Sequence, residues 1–400
     1  MRKAVIVDGV RTAFGKHGGT IRKIPMTDLA AIAIDGLLQK TQLLERGGQV
    51  DGVFMGSSLA DCQSHAIARY ATLKSRLGYK VWSSYVEKQC GSAIDSLNHA
   101  AAFIMCGMAD SMIVGGAESH SNNTFRFFRN IDPYRETLPG PIMLKLAPTA
   151  EDSIDMITTA DNVARLCGVS REACDEYAFS SQQRAAAATN KGFFKEEIIP
   201  IVIPATRKTP EICFDFDEFM KPNTTMDGLA RLNSIYPNGV TTAGNASGKN
   251  DGAAMLLVME EEYARRLGYQ PYARFVAAGN CALDPKIMGL GPVGASLEAL
   301  SRASLDIRDI DLWECNEAFA AQNLGVLHKL KEESGYAIPR DKWNVNGGAI
   351  AFGHPNGASG ARITMFAMRE LERRGAKYAL ATACCGGGQG VAAVIENLRL

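Results

Sequence analysis

Cys90-Gly91-Ser92-Ala93-Ile94-Asp95-Ser96-Leu97 opens the run whose reading decides the fold. From Ala93 onward, Ile94, Leu97, Ala101, Ile104 and Met105 recur at the spacing that lines one face of a helix. Gly107 suits its end, because helices commonly close on a left-handed residue and glycine adopts that conformation without a steric penalty. Ser111-Met112-Ile113-Val114-Gly115-Gly116 then reads as a buried strand ending in glycines. The same grammar returns far downstream. Gly357-Ala358-Ser359 leads a helical pattern through Ile363, Ala367 and Leu371 to Gly375, and Tyr378-Ala379-Leu380-Ala381-Thr382-Ala383-Cys384 is a strand running into glycines. Ser92 and Ser359 stand at the same place in the two copies. The repeated order predicts an internal duplication of α/β units.

Working outward, Val5 to Val7 is a strand candidate before the turn-rich Arg11-Thr12-Ala13-Phe14-Gly15. Residues 27–40 read as a helix with Leu29, Ile32, Ala33 and Leu37 on one face. Val53-Phe54-Met55-Gly56 and Ile310-Asp311-Leu312-Trp313-Glu314 read as short strands. Residues 119–249 differ: polar, proline-containing loops from Ser119 to Asp152, a helix start at Ser170 with Glu172 in its first turn, and an irregular stretch from Pro210 to Asn238. Long insertions of this kind in an α/β frame build ligand sites or oligomer contacts. The expected organisation is therefore an N-terminal half of 1–118 with 250–270, a loop domain of 119–249, and a C-terminal half of 271–400.

The 400 residues are 46% hydrophobic and 22% charged with no net charge, an ordinary globular composition that gives no basis for a nucleic-acid groove or an anionic membrane surface. None of the ten cysteines forms a CxxC or a zinc-like cluster, so reduced thiols in the cytoplasm and no metal site are expected. The apolar run at Ala4 to Val7 is too short for a signal peptide, and no stretch approaches the roughly 20 apolar residues of a membrane span.

Against that background, a few polar residues in small-residue turns stand out. An isolated cysteine is most often a small core hydrophobe. Cys90, however, opens a helix, where free N–H groups and the dipole favour a thiolate, and its backbone N–H could serve an oxyanion. His354 lies in Gly353-His354-Pro355-Asn356-Gly357-Ala358-Ser359-Gly360, poor core material, and imidazole is the usual activator of a cysteine. Cys384-Cys385-Gly386-Gly387-Gly388 ends a strand, so only one of the two cysteines can face a cleft. Asn316, in Asn316-Glu317-Ala318-Phe319, reads as a helix N-cap, as a ligand-directed amide, or as both. Ala243-Gly244-Asn245-Ala246-Ser247-Gly248-Lys249-Asn250 is one residue short of a phosphate loop and lacks its Ser/Thr; a small-residue surface for a flexible ligand arm fits better.

At these motifs the chain resembles the thiolase family, whose members cleave or form 3-oxoacyl-CoA by Claisen chemistry. The resemblance runs from Val10-Arg11-Thr12 to Gly388-Gln389-Gly390. It implies an α/β thiolase fold: two duplicated halves with five-stranded mixed sheets, layered α-β-α-β-α, plus a loop insertion. By resemblance Cys90 is the acyl-accepting nucleophile, His354 its activating base, and Cys384 the second cysteine that moves the α-carbon proton. Asn316 holds a water beside His354 in one oxyanion hole, and the N–H groups of Cys90 and Gly386 form the other. Ser247 contacts the pantetheine arm; Met156, Lys221, Ala246 and Ala318 are the other expected coenzyme A contacts. Coenzyme A is then a substrate, with no permanently bound cofactor, and a homodimer or homotetramer in fatty-acid metabolism and β-oxidation is expected.

The chain departs from the pattern at Ala93, Glu87-Lys88, Asp155, Ile157, Lys221 and Lys249. An acetoacetyl or straight-chain 3-oxoacyl-CoA is the first expectation. A branched or aromatic acyl group, favoured by Asp155 and Ile157 near the acyl pocket, is the alternative. A non-catalytic thiolase-like subunit fits poorly with so complete a site, and a decarboxylating condensing enzyme would lack Cys384.

Overall fold

The duplication is laid out in one continuous mixed sheet. A computed structural model describes residues 2–59, 64–124, 126–128, 134, 140–142, 144–207 and 209–400. The N-terminal copy supplies β1 (Ala4–Thr12), β2 (Gly52–Gly56), β3 (Trp82–Val86), β4 (Ser111–Ser119) and β5 (Asn250–Glu260), with helices α1 (Met26–Thr41), α2 (Ile67–Lys74) and α3 (Ser92–Met105). The segment between β4 and β5 carries α4 (Met156–Cys167) and α5 (Arg171–Asn190). The C-terminal copy supplies β6 (Ala273–Ala282), β7 (Leu312–Cys315), β8 (Tyr378–Cys385) and β9 (Gln389–Asn397), with α6 (Gly291–Ala303), α7 (Ala320–Ser334) and α8 (Asn356–Arg374).

The two copies share a pairing scheme. In the first, β3, β2 and β4 are parallel neighbours, and β4–β5 and β5–β1 are antiparallel. In the second, β7–β8 is parallel, while β8–β9 and β9–β6 are antiparallel. The counterpart of β3 is reduced to one parallel bridge between Trp313 and Trp343. The expected fifth strand of this half is thus a single residue pair. The halves join where β1 and β6 pair at Val5–Arg274 and Ile6–Ala273.

Strand alternation divides the core. Met112, Val114, Ala254, Leu256, Ala381 and Ala383 face a central cluster built on α3 and α8. Ile113, Met255 and Leu257 face the opposite way, onto α1 and α2. Leu380 and Val394 face a third cluster with α6 and α7. Successive residues of a strand point to opposite faces, so two sheet regions and three helical levels follow from the pattern. No described helix is long and apolar enough to cross a membrane.

The expected starts hold closely. Ser170 caps α5 by accepting a hydrogen bond from the Ala173 N–H, and Gly375 closes α8 at φ 59°. Asn316 does not act as a helix cap: α7 begins at Ala320, with Phe319 in the capping position.

Candidate active site

The first part of the site forms where β3 turns into α3. Gln89 is left-handed (φ 49°), and its N–H and Nε2 both donate to Glu87 Oε1, at 2.8 and 2.6 Å. This reversal puts Cys90 in a single 3₁₀ turn ahead of α3. Ser92 Oγ accepts from the Lys88 N–H at 2.9 Å and donates to the Gln89 carbonyl at 2.7 Å, which fixes the turn. Cys90 is buried. Its thiol is pushed well above the ordinary range, by burial first and then by Cys384 and Glu118. The expected thiolate-favouring effect of the helix start is therefore outweighed: a charged sulfur loses more by leaving water than it gains from the helix dipole.

His354 enters from the C-terminal copy. Gly353 has φ 90°, and a Cβ there would lie 2.2 Å from the Asn250 side chain, so this turn requires glycine. The His354 N–H bonds the Gly248 carbonyl (3.2 Å) and Asn250 Oδ1 (3.1 Å). Its Nε2 lies 3.3 Å from Asn316 Nδ2, and its Nδ1 lies 2.6 Å from Ser359 Oγ, which itself donates to the Pro355 carbonyl at 3.0 Å. An amide nitrogen can only donate. With Asn316 so oriented, Nε2 carries the lone pair and Nδ1–H donates to Ser359. Burial, with the nearby charges of His120 and Arg362, pushes His354 down to about 3. The result is a neutral imidazole with an accepting nitrogen in the cleft.

Asn316 is buried and follows β7. It meets His354 directly, and its Oδ1 is buried without a protein partner. The adjacent Glu317 pins this turn, accepting from Ser181 Oγ (2.6 Å), Tyr177 OH (3.1 Å), Asn344 Nδ2 (3.1 Å) and the Ile350 N–H (3.2 Å).

At the end of β8 the two cysteines part. Cys384 clusters with Met288 and Ala318, with Met156 and Phe319 against them. Cys385 faces the central core, where a Cβ on Gly91 would meet its sulfur at 2.5 Å. Burial raises both thiols. Gly386 follows in the turn that joins β8 to β9.

Four of the five expected coenzyme A contacts come together. The Ser247 N–H donates to the Ala318 carbonyl at 3.0 Å, Ala246 bridges to Phe319, and Ala318 and Met156 share the cluster around Cys384. Lys221 lies further out, in a cavity of about 270 Å³ with Phe219, Gln182, Leu229 and Gly244, its Nζ 5.3 Å from the Phe219 ring centre. Of the segment expected over the acyl pocket, Met156 packs on the Cys384 cluster. Asp155 is instead spent capping α4, bonding the Ile157 and Thr158 N–H groups at 2.9 and 3.1 Å. Ile157 is partly exposed and outside that cluster.

Sequence reasoning missed two residues. Asn356 Nδ2 donates to Cys90 Sγ at 3.5 Å, and Asn356 Oδ1 lies 3.1 Å from His120 Nε2. Asn356 could have been flagged as the one amide in a glycine-rich run. Nothing local marks His120, which follows the end of β4. Ser359, a repeat marker in the sequence, orients His354.

Two buried thiols, a neutral imidazole and an amide are thus linked: Cys384 acts electrostatically on Cys90, Asn356 from the turn that bears His354 touches Cys90 Sγ, and Asn316 meets His354. Such a set can pass an acyl group through a covalent thioester and move a proton beside it. The family profile described as thiolase, N-terminal domain, matches residues 4–262, and that described as thiolase, C-terminal domain, matches 269–397. The chain belongs to the thiolase family, a class of acyltransferases. It is 41% identical over 398 residues to an acetyl-CoA acetyltransferase of Allochromatium vinosum, covering 98% of this chain and 99% of that one. It is also 41% identical over 409 residues to a 3-oxoadipyl-CoA/3-oxo-5,6-dehydrosuberyl-CoA thiolase of Escherichia coli, covering all of both chains (100%). A crystal structure of human mitochondrial 3-ketoacyl-CoA thiolase in complex with CoA superposes with a TM-score of 0.89 at 36% identity, over 99% of this chain and 98% of that one.

Proposed function

We propose that the protein cleaves a 3-oxoacyl-CoA with coenzyme A, or runs the reverse condensation, through an acyl group on Cys90. The observation that carries this reading is that the turn bearing His354 reaches Cys90, at the start of α3, through Asn356, with Cys384 close enough to act on the Cys90 thiol. Cys90 sulfur attacks the 3-keto carbon while His354 Nε2 takes the thiol proton. The C2–C3 bond breaks, and its electron pair becomes the enolate of acetyl-CoA, which Cys384 protonates at C2. His354, now bearing a proton on Nε2, and Asn316 face the enolate oxygen; the N–H groups of Cys90 and Gly386 serve the acyl oxygen. Coenzyme A then attacks the acyl-Cys90 carbonyl, its proton passes to Cys384, and Cys90 leaves as a thiol with the proton held by His354.

Ser247, Ala246, Ala318 and Met156 fit the pantetheine arm, and Lys221 with Phe219 fits the nucleotide end. In domain terms we read 1–118 with 250–270 and 271–400 as the two catalytic halves and 119–249 as the ligand-binding insertion. A cytoplasmic homodimer, or a pair of dimers, is part of the proposal. It is supported by the outer edge of β3, which no strand pairs among the described residues and which exposes Trp82 and Tyr85. The relatives' names differ in acyl group, so a straight-chain 3-oxoacyl-CoA in fatty-acid breakdown is the starting substrate.

Brief incubation with acetyl-CoA, followed by peptide mass spectrometry, tests the reading. One acetyl group on the Cys90 peptide is expected. Label on Cys384 or Cys385 instead would reverse the roles assigned here.

A further inference from the structure

We infer that Asn356, aimed by His120, selects acyl groups that carry a hydrogen-bond-accepting oxygen close to the thioester. This rests on the reading of Cys90 as the acylated residue and deepens it by naming a substrate class. The Asn356 Nδ2 group touches Cys90 Sγ at 3.5 Å, so an acyl chain on that sulfur must lie against it. The amide cannot turn away freely. Its Oδ1 accepts from His120 Nε2 at 3.1 Å, which leaves only the NH₂ side for the pocket.

The neighbouring carboxylates do not compete for that NH₂. Glu118 accepts from Ser57 Oγ, the Ser58 N–H and Oγ, and the N–H groups of Leu59 and Gly357. Asp251 accepts from Ser119 Oγ and from the N–H and Oγ of Ser121. In the free enzyme the Asn356 N–H is satisfied by the Cys90 sulfur. Acylation changes this, because a thioester sulfur is a poor acceptor. A hydrocarbon chain then leaves a half-buried N–H unpaired, whereas a hydroxyl, keto or carboxylate oxygen replaces the lost bond.

The charges about His120 are mixed. Glu118 and Asp251 are negative and Lys249 is positive, so the shared chemistry is an acceptor oxygen, neutral or anionic.

The test is the rate of Cys90 acylation by butanoyl-CoA, 3-hydroxybutanoyl-CoA and succinyl-CoA, with acetyl-CoA as reference, followed by intact mass. In each case Cys90 sulfur bonds the acyl carbon, the carbon–sulfur bond to coenzyme A breaks, and coenzyme A leaves as a thiol with the Cys90 proton. At least one oxygen-bearing acyl group should transfer about tenfold or more faster than butanoyl, as expected where a site's polar group needs a partner. A lead by 3-hydroxybutanoyl identifies a neutral acceptor, and a lead by succinyl an anionic one. Asn356→Leu should erase the lead. His120→Leu should weaken it, and His120→Gln, which can still donate to Asn356, should restore it; this pair serves if Asn356→Leu does not fold. Equal rates for all three chains in the parent enzyme, or a lead that survives Asn356→Leu, would overturn the inference. Failure of acetyl-CoA and every other thioester to label Cys90 would instead remove the nucleophile assignment, and the inference with it.

Discussion

Cys384 and Cys385 are adjacent and chemically alike, yet one faces Met156 and Ala318 while the other packs on Gly91. Cys384→Ala should leave Cys90 acylation intact but lower turnover by ~10²-fold or more, the scale of lost acid–base catalysis. Cys385→Ala should mainly loosen the core. Equal kinetic losses would show that strand facing does not decide the roles. His354→Ala should slow iodoacetamide at Cys90, because burial holds that thiol neutral and leaves the imidazole as its activator; an unchanged rate would remove His354 from that role. That the two cysteines face opposite ways was legible because alternation along a strand is a local rule; which of them serves the site came from the family resemblance. The pairing of Asn356 with His120 was not, since they meet across 236 positions of sequence and nothing local marks His120. Asp155 misled for a related reason: the sequence displays a carboxylate but not that it is spent on the first turn of α4.

Elements came through unevenly. α3 and α8 were readable from period and closing glycine. The strand expected at Val5 to Val7 extends to Thr12, and β5 and β9 carried no alternation because both of their faces are covered. The turn ahead of α8 shows how an element serves the site. Gly353→Ala would place a methyl group on the Asn250 amide that anchors His354, at a positive φ. A loss of about 1–3 kcal/mol in denaturant unfolding, the ordinary scale of backbone strain, is expected together with a fall in turnover. Parent-like values for both would mean that the turn relaxes without moving the imidazole.

For the whole molecule, the buried imidazole links function to acid stability. His354 falls from 6.5 to about 3 on folding, so the unfolded chain binds more protons in that window. The associated stability is fully present above pH 6.5 and is lost as pH falls toward 3. Glu314 acts in the opposite sense. Burial raises its carboxyl well above 4.5, so stability is lost as pH rises through that range. Comparison with His354→Gln cancels the Glu314 contribution. The stability difference, parent minus variant, should shrink as pH falls from 6.5 to 4.5, by up to about 1.4 kcal/mol per pH unit. Identical slopes would mean that His354 titrates alike in both states. Assembly can be tested on the same scale: the parent should sediment as a dimer or larger, and Ser84→Lys on the exposed β3 edge should weaken it. A monomeric parent would end the dimer proposal.

The two rims of the sheet are unlike. Beyond β7 sits Trp343, fully buried, its ring stacked 5.8 Å from Trp313 and its carbonyl taken by Arg184 at 2.6 Å. That rim is a stopper; among the described residues the rim at β3 is open. A sheet with two open rims is a building block for fibrils, since every added copy presents a fresh edge. With one rim stopped, each chain is a terminator: two copies joined at β3 would leave no growing end, and polymerisation would halt at the pair.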